Sequence, residues 1–143
     1  MANSKTFHVE NEAALGPVAA DLARMLDSGG IVALGGDLGA GKTALARALI
    51  RELTGNADQD VPSPTYTLLQ TYDAPNLPIW HFDLYRLKSP DEIYELGWDD
   101  ALAPGNLVLI EWPQRIETLL PRNIIHIDIA APTVTTRTLT VTS

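Results

Sequence analysis

Apolar side chains recur in this sequence with two spacings, one typical of amphipathic helices and one of buried strands. In residues 12–26 and 44–53 they fall three or four positions apart, which predicts two helices that each turn one face toward a core. Asn11 can cap the first helix, and Pro17 marks either a kink or the true first turn. A third helix is predicted from Ser89, where Glu92 completes a capping box, to Gly97.

Short apolar or alternating runs bounded by turn-forming residues predict strands. These runs cover residues 6–10, 31–34, 67–72, 79–84, 107–111, 123–130 and 136–142, and the last two would form a terminal hairpin. Residues 55–64 are polar and predict an exposed loop. Because strands alternate with helices, we expect an α/β fold with a mostly parallel sheet flanked by helices and a C-terminal β-hairpin.

A glycine-rich segment joins the strand at 31–34 to the helix at 44–53. It fits the pattern G-x-x-x-x-G-K-S/T and consists of Gly36, Asp37, Leu38, Gly39, Ala40, Gly41, Lys42 and Thr43. Glycines let backbone N–H groups point at phosphate oxygens, a lysine adds a point charge, and a threonine hydroxyl can ligate Mg²⁺. A glycine-rich turn without a ligand is the alternative, but the flanking strand and helix favour a P-loop NTPase-like fold with a site for ATP and Mg²⁺.

Two carboxylates directly follow predicted strands beside this loop. Asp83 follows residues 79–82, and Glu111 follows the wholly apolar residues 107–110. The carboxyl ends of parallel strands meet where open α/β sheets bind ligands, so we predict Asp83, Glu111 and Lys42 as catalytic residues. Thr43, Asp83 and Glu111 are the predicted metal ligands, and which carboxylate lies closer to the metal stays open. A capping or ion-pairing role is the alternative for each acid.

Four further positions have two interpretations each. Thr65, in a Ser-Pro-Thr turn, could present its hydroxyl to the γ-phosphate as a nucleotide-sensing switch, or could simply enter a strand. His81 and His126 are predicted to be packed strand histidines and not catalytic ones, because no metal-ligand spacing links them. Trp112 would either pack in the core or shield the site.

Composition narrows the possibilities. The 143 residues match one compact domain, predicted to cover residues 1–143. No apolar run approaches the roughly 20 residues that cross a bilayer, no secretory signal is evident after Met1, and there is no cysteine for disulfides or thiolate metal sites. A cytoplasmic protein without membrane contact is therefore expected.

The chain is acidic, with a formal net charge of −8. Such a surface repels a phosphate backbone and disfavours direct binding to nucleic acid. Part of the acidity is clustered, which indicates either a solvated face or a docking patch for a basic partner. The cluster consists of Asp91, Glu92, Glu95, Asp99 and Asp100.

Four blocks of sequence, taken in order, resemble the TsaE (YjeE) family. They are residues 36–43, Ser-Pro-Thr-Tyr-Thr at 63–67, His-Phe-Asp-Leu-Tyr-Arg-Leu at 81–87, and Glu-Trp-Pro at 111–113. The resemblance runs from about Gly29 through the terminal hairpin. It implies a bacterial ATPase required for threonylcarbamoyladenosine synthesis on tRNA.

The resemblance also implies roles and partners. Lys42 and Thr43 would hold the phosphates and Mg²⁺, Glu111 would contact the metal and assist hydrolysis, Asp83 would be the other site acid, and Thr65 the switch residue. Arg137 is the candidate for a basic residue that the family often carries near the nucleotide. The implied partners are TsaD, which performs the transfer, and TsaB, so tRNA would be reached only through the complex.

Two other functions share the phosphate loop. A small-molecule kinase would close an arginine-rich lid over the transferred phosphate, yet this chain has few arginines in its loops. A non-hydrolysing nucleotide switch is the other alternative. A GTPase is disfavoured because no Asn-Lys-x-Asp segment is present.

Overall fold

A computed structural model of the chain describes residues 3–75 and 77–143, which contain seven strands and three α-helices. The strands are β1 (Ser4–Val9), β2 (Gly30–Gly35), β3 (Leu69–Asp73), β4 (Pro78–Asp83), β5 (Leu107–Glu111), β6 (Ile125–Ala130) and β7 (Arg137–Thr142). The α-helices are α1 (Leu15–Leu26), α2 (Lys42–Thr54) and α3 (Trp98–Ala101). Three 3₁₀ helices cover Glu12–Ala14, Pro90–Leu96 and Pro113–Leu119.

The strands form one sheet in the order β1-β7-β6-β2-β5-β4-β3. Its centre is parallel, since β4, β5, β2 and β6 run in the same direction, and its edges are antiparallel. The predicted α/β fold is thus confirmed, including the terminal hairpin of β6 and β7. Because Asp83 and Glu111 are register partners at the carboxyl ends of β4 and β5, both acids reach the same edge of the sheet.

Both faces of the sheet are covered, which explains why the first four residues of β5 are apolar. Leu107 and Leu109 pack on the side of α1 and α2, and Val108 and Ile110 pack on the side of Trp98 and the two longer 3₁₀ helices. Alternate residues of a strand point to opposite faces, so a strand between two layers needs apolar residues at every position. Packing on both faces holds the strand ends in place, and the site is built on these ends.

Several element boundaries differ from the predictions by one or two residues, and three of the differences have a local cause. The first helix has a 3₁₀ turn capped by Asn11 and becomes α-helical at Leu15, so Pro17 lies in the first α-helical turn. The predicted strand at 67–72 begins only at Leu69, because Leu68 has a positive φ of 68°. The helix from Ser89 is 3₁₀, with the predicted capping contact from Glu92, and it ends at the left-handed Gly97.

Among residues 3–75 and 77–143, no helix has the length and apolar character needed to cross a membrane.

Candidate nucleotide-binding site

The glycine-rich loop leads from β2 directly into α2 through backbone conformations that favour glycine. Gly36 has φ of 140°, and a Cβ there would lie 2.6 Å from the carbonyl oxygen of Ile129. Gly41, at φ of 110°, is the N-terminal cap of α2. The first N–H groups of α2 therefore face the loop, an arrangement that favours bound phosphate.

Lys42 is only 5% exposed, although it carries a charge. Its Nζ donates to the carbonyl oxygens of Gly36 at 2.6 Å and Asp37 at 3.0 Å. It also lies 4.0 Å from the centre of the Trp112 ring. Burial lowers the pKa of Lys42, and the carboxylate of Glu111 is the strongest of the nearby charges that oppose this shift.

Two carboxylates complete the site at the strand ends. Asp83 and Glu111 are 3% and 2% exposed. Thr43 Oγ1 donates to Glu111 Oε1 at 2.8 Å, and Thr65 Oγ1 donates to Asp83 Oδ2 at 3.0 Å. Each acid is thereby tied to a hydroxyl from a different element, α2 for Glu111 and the Ser-Pro-Thr turn for Asp83.

His81 makes a contact that the sequence interpretation missed. It is fully buried, as expected of a packed strand histidine, but its Nε2 lies 2.6 Å from Glu111 Oε2. The available signal was its position two residues before Asp83, which puts both side chains on the same face of β4. His126, predicted to be packed in the same way, is instead exposed on β6. That prediction was wrong because β6 turns its even-numbered positions outward.

Trp112 lies beside the site and is half-buried. Its backbone has a positive φ of 60°, and its ring contacts Tyr85 at 5.0 Å between centroids as well as Lys42. This placement agrees with the shielding interpretation, since the indole covers the lysine ammonium group.

Three cavities among the described residues border the loop. The cavity of about 280 Å³ is lined by predicted site residues, among them Lys42, Thr43, Thr65, Asp83 and Glu111. Of the predicted loop residues, Leu38, Gly39 and Gly41 line this cavity too, and Gly36, Asp37 and Ala40 lie on the opposite side of the loop. The predicted residues are therefore close together in space.

The second cavity, of about 400 Å³, is mostly apolar and continues past Gly41 and Ala44. Its walls include Val9 and Leu15, which the sequence interpretation did not connect with the site. Arg137, from β7, also lines it and donates from Nε to the carbonyl oxygen of Ala40 at 2.7 Å. The basic residue of the last hairpin thus touches the loop.

The acidic cluster lies on Pro90–Leu96 and α3, away from these cavities. Glu92 accepts hydrogen bonds from the backbone N–H groups of Lys88 and Ser89, so it serves as a cap. The other four acids of the cluster are exposed.

The doubly covered sheet and the loop between β2 and α2 define a P-loop NTPase-like α/β protein. A family model for the threonylcarbamoyl adenosine biosynthesis protein TsaE matches residues 9–139. The chain therefore belongs to the TsaE family, and the resemblance found in the sequence is confirmed.

Individual relatives agree with this assignment. The chain is 46% identical over 129 residues to the tRNA threonylcarbamoyladenosine biosynthesis protein TsaE of Rickettsia bellii, covering 90% of this chain and 88% of that protein. It is 52% identical over 110 residues to the protein of that name from Rickettsia conorii, covering 77% of this chain but only 62% of the relative. Among solved structures, Bacillus subtilis YdiB superposes with a TM-score of 0.77 and 28% identity, covering 100% of this chain and 87% of that one.

Proposed function

We propose that residues 1–143 form one Mg²⁺-dependent ATPase domain that serves tRNA threonylcarbamoyladenosine biosynthesis with TsaB and TsaD and is not itself the transferase. The observation that carries the ATPase assignment is the phosphate loop with Lys42 and Thr43 facing Asp83 and Glu111 across one cavity. The pathway assignment is supported by family membership and by the names of the relatives. A cytoplasmic location, where tRNA is modified, follows from it.

The oxygen atoms at the strand ends fit Mg²⁺. Thr43 Oγ1 and Glu111 Oε1 already lie 2.8 Å apart, and Asp83 faces the same cavity. The described residues contain no cluster of three or more His, Cys, Asp or Glu side chains, but Mg²⁺ needs none, because substrate phosphates and water complete its octahedron. Thr43 with Glu111 or Asp83 would hold the ion, which neutralises phosphate charge when bound.

The chain's own residues would then act on ATP as follows. Lys42 and the first N–H groups of α2 bind the β- and γ-phosphates. Glu111 orients the attacking water and accepts its proton as the new O–P bond forms and the bond to ADP breaks. The Thr65 hydroxyl, which donates to Asp83, would sense the γ-phosphate.

The apolar cavity is suited to the nucleoside. It begins at Gly41 and Ala44, which also line the phosphate cavity, so a phosphate chain on the loop would lead into it. Its apolar walls can pack against a flat base, and Arg137 supplies one charged group at its edge.

Mg·ATP titration calorimetry and phosphate release measure this function directly. We expect ATP to bind in preference to GTP, slow hydrolysis by the chain alone, and restored tRNA modification when the chain is added to TsaB, TsaD and the enzyme that supplies the threonylcarbamoyl group. Transfer of the γ-phosphate to a small molecule in an acceptor screen would support a kinase instead. Binding without hydrolysis in any mixture would support a nucleotide switch.

A further inference from the structure

His81 is a fully buried polar side chain for which the proposed reaction has so far given no role. It lies on the α2 side of β4, between the core residue Ile79 and the site acid Asp83. Within the described residues, its Nε2 has one polar partner, Glu111 Oε2 at 2.6 Å, and its Nδ1 has none.

The hydrogen bonds identify which imidazole nitrogen carries the proton. Glu111 accepts from Thr43 at Oε1, and the 2.6 Å contact at Oε2 fits a carboxylate oxygen that accepts from His81 Nε2. A proton on Nδ1 would be a buried donor without a partner, which is rarer and more costly than a bare lone pair. The contact at Nε2 and the unpartnered Nδ1 together favour the tautomer with its proton on Nε2.

The two oxygens of Glu111 are consequently held by different elements. His81, from β4, fixes Oε2 on the buried side, and Thr43, at the start of α2, meets Oε1 on the cavity side. A carboxylate held at one oxygen cannot rotate freely about its last torsion, so the other oxygen keeps its direction toward the cavity.

We propose that His81 is a positioning residue that holds Glu111 by donating from Nε2, so that Oε1 faces the metal and the attacking water. The proposal rests on the proposed ATPase function, within which it assigns the orientation of the key carboxylate to a residue on the neighbouring strand.

Three variants separate positioning from packing. His81→Leu removes the donor and keeps a side chain of moderate size, His81→Gln keeps an N–H that can reach Glu111, and Ile79→Val trims the same face of β4 without a polar change. In His81→Leu we expect kcat to fall roughly 10- to 100-fold with KM for ATP nearly unchanged. His81→Gln should recover much of that loss, and Ile79→Val should hydrolyse ATP at the parent rate.

The proposal is overturned if His81→Leu retains the parent kcat, or if His81→Gln is as slow as His81→Leu while both remain folded by circular dichroism. Equal losses in kcat for Ile79→Val and His81→Leu would also overturn it, because packing alone would then explain the effect.

A measurement without nucleotide keeps this inference separate from the ATPase proposal. The chain has three histidines, so the ring nitrogens of His81 can be assigned by NMR from the signals missing in His81→Gln. We expect the tautomer protonated at Nε2 and a changed Nε2 signal in Glu111→Gln. A tautomer protonated at Nδ1 would overturn the proposal even in an active enzyme. Should no mixture hydrolyse ATP, the ATPase proposal would fail, and the tautomer would still decide whether His81 holds Glu111.

Discussion

The phosphate loop and its neighbours hold the Lys42 ammonium group in one position. Its ammonium group is buried, bonded to two loop carbonyl oxygens and covered by the Trp112 ring. Desolvation disfavours the charged form of a buried amine, and the nearby negative charges of Glu111 and Asp83 oppose that effect. The charge is thus held ready for a phosphate.

Lys42→Ala should weaken Mg·ATP binding by roughly 10- to 100-fold while the fold persists, because it removes a charge-assisted hydrogen bond to the phosphates. Titration calorimetry measures the affinity, and circular dichroism checks the fold. Lys88→Ala is the matched control, since Lys88 is an exposed lysine outside the loop. An unchanged affinity in Lys42→Ala would refute the role given to this residue.

Glu111→Gln keeps the size of the side chain and removes its charge. We expect hydrolysis to fall by about 100-fold or more, as for other lost general bases, with a much smaller effect on nucleotide binding. Glu111→Ala should lose hydrolysis too, but it also leaves Thr43 and His81 without their shared acceptor. Phosphate release and calorimetry on the same preparations separate the two effects, with the exposed Glu117→Gln as control. Hydrolysis at the parent rate would rule the assignment out.

The site was predictable wherever its signal is local in sequence. The loop pattern and the acids that follow apolar runs, Asp83 and Glu111, depend only on neighbouring residues. Spacing placed His81 on the same face of β4 as Asp83, and the family resemblance pointed to Arg137. Their contacts with Glu111 and Ala40 had no local signal, because they depend on which segments are adjacent in the fold. Arg137 reaches Ala40 across 97 positions of sequence, and no local pattern encodes such a pairing.

The secondary-structure elements, too, were predicted well where the signal is local in sequence and poorly where it is not. The buried strand β5 and the helix α2 were predicted closely, because their apolar spacing and glycine boundaries are strong signals. The start of β3 was predicted two residues early, since nothing in the composition of residues 67–68 reveals the left-handed turn at Leu68. Apolar spacing does not specify the direction in which two strands pair. The antiparallel pairing of β1 with β7 and of β3 with β4 therefore had no such signal.

The loop between β2 and α2 should tolerate alanine unequally at two glycines with positive φ. At Gly39 a Cβ meets nothing within 4 Å, so Gly39→Ala should cost about 1–2 kcal/mol of unfolding free energy from its left-handed backbone alone. At Gly36 a Cβ would lie 2.6 Å from the Ile129 carbonyl oxygen, so Gly36→Ala must also displace the loop or β6. We expect a larger loss of stability and weaker ATP binding in Gly36→Ala. Urea unfolding and calorimetry measure both, and equal losses in the two variants would contradict the steric argument.

At the level of the whole molecule, the strong negative charge and the open phosphate cavity both indicate dependence on a partner. A net charge of −8 disfavours direct contact with tRNA. The phosphate cavity is bordered by exposed side chains such as Leu38 and Tyr85, and no lid among the described residues closes over it. Water exclusion and further positive charge near the γ-phosphate would therefore come from a partner.

Hydrolysis should accordingly be slow for the isolated chain and faster with TsaB and TsaD together. Steady-state phosphate release by the chain alone, with the two proteins, and with tRNA added measures this. The Lys42→Ala variant, mixed with the same partners, controls for hydrolysis by the partners themselves, and tRNA without partners should change nothing. If the isolated chain already matches the mixture, activation by partners is wrong, and a self-sufficient ATPase or a kinase becomes the better interpretation.

The contact between Arg137 and the phosphate loop has a consequence for synthesis on the ribosome. The cavity beyond Gly41 is lined by residues from elements far apart in sequence, from Val9 of β1 to Leu139 of β7. A nascent chain that has been made only as far as α2 has the complete phosphate pattern. It still lacks β6 and β7, and therefore Arg137. The cavity beyond Gly41 is thus completed only after β7 has been made, so β2, the loop and α2 cannot form it by themselves.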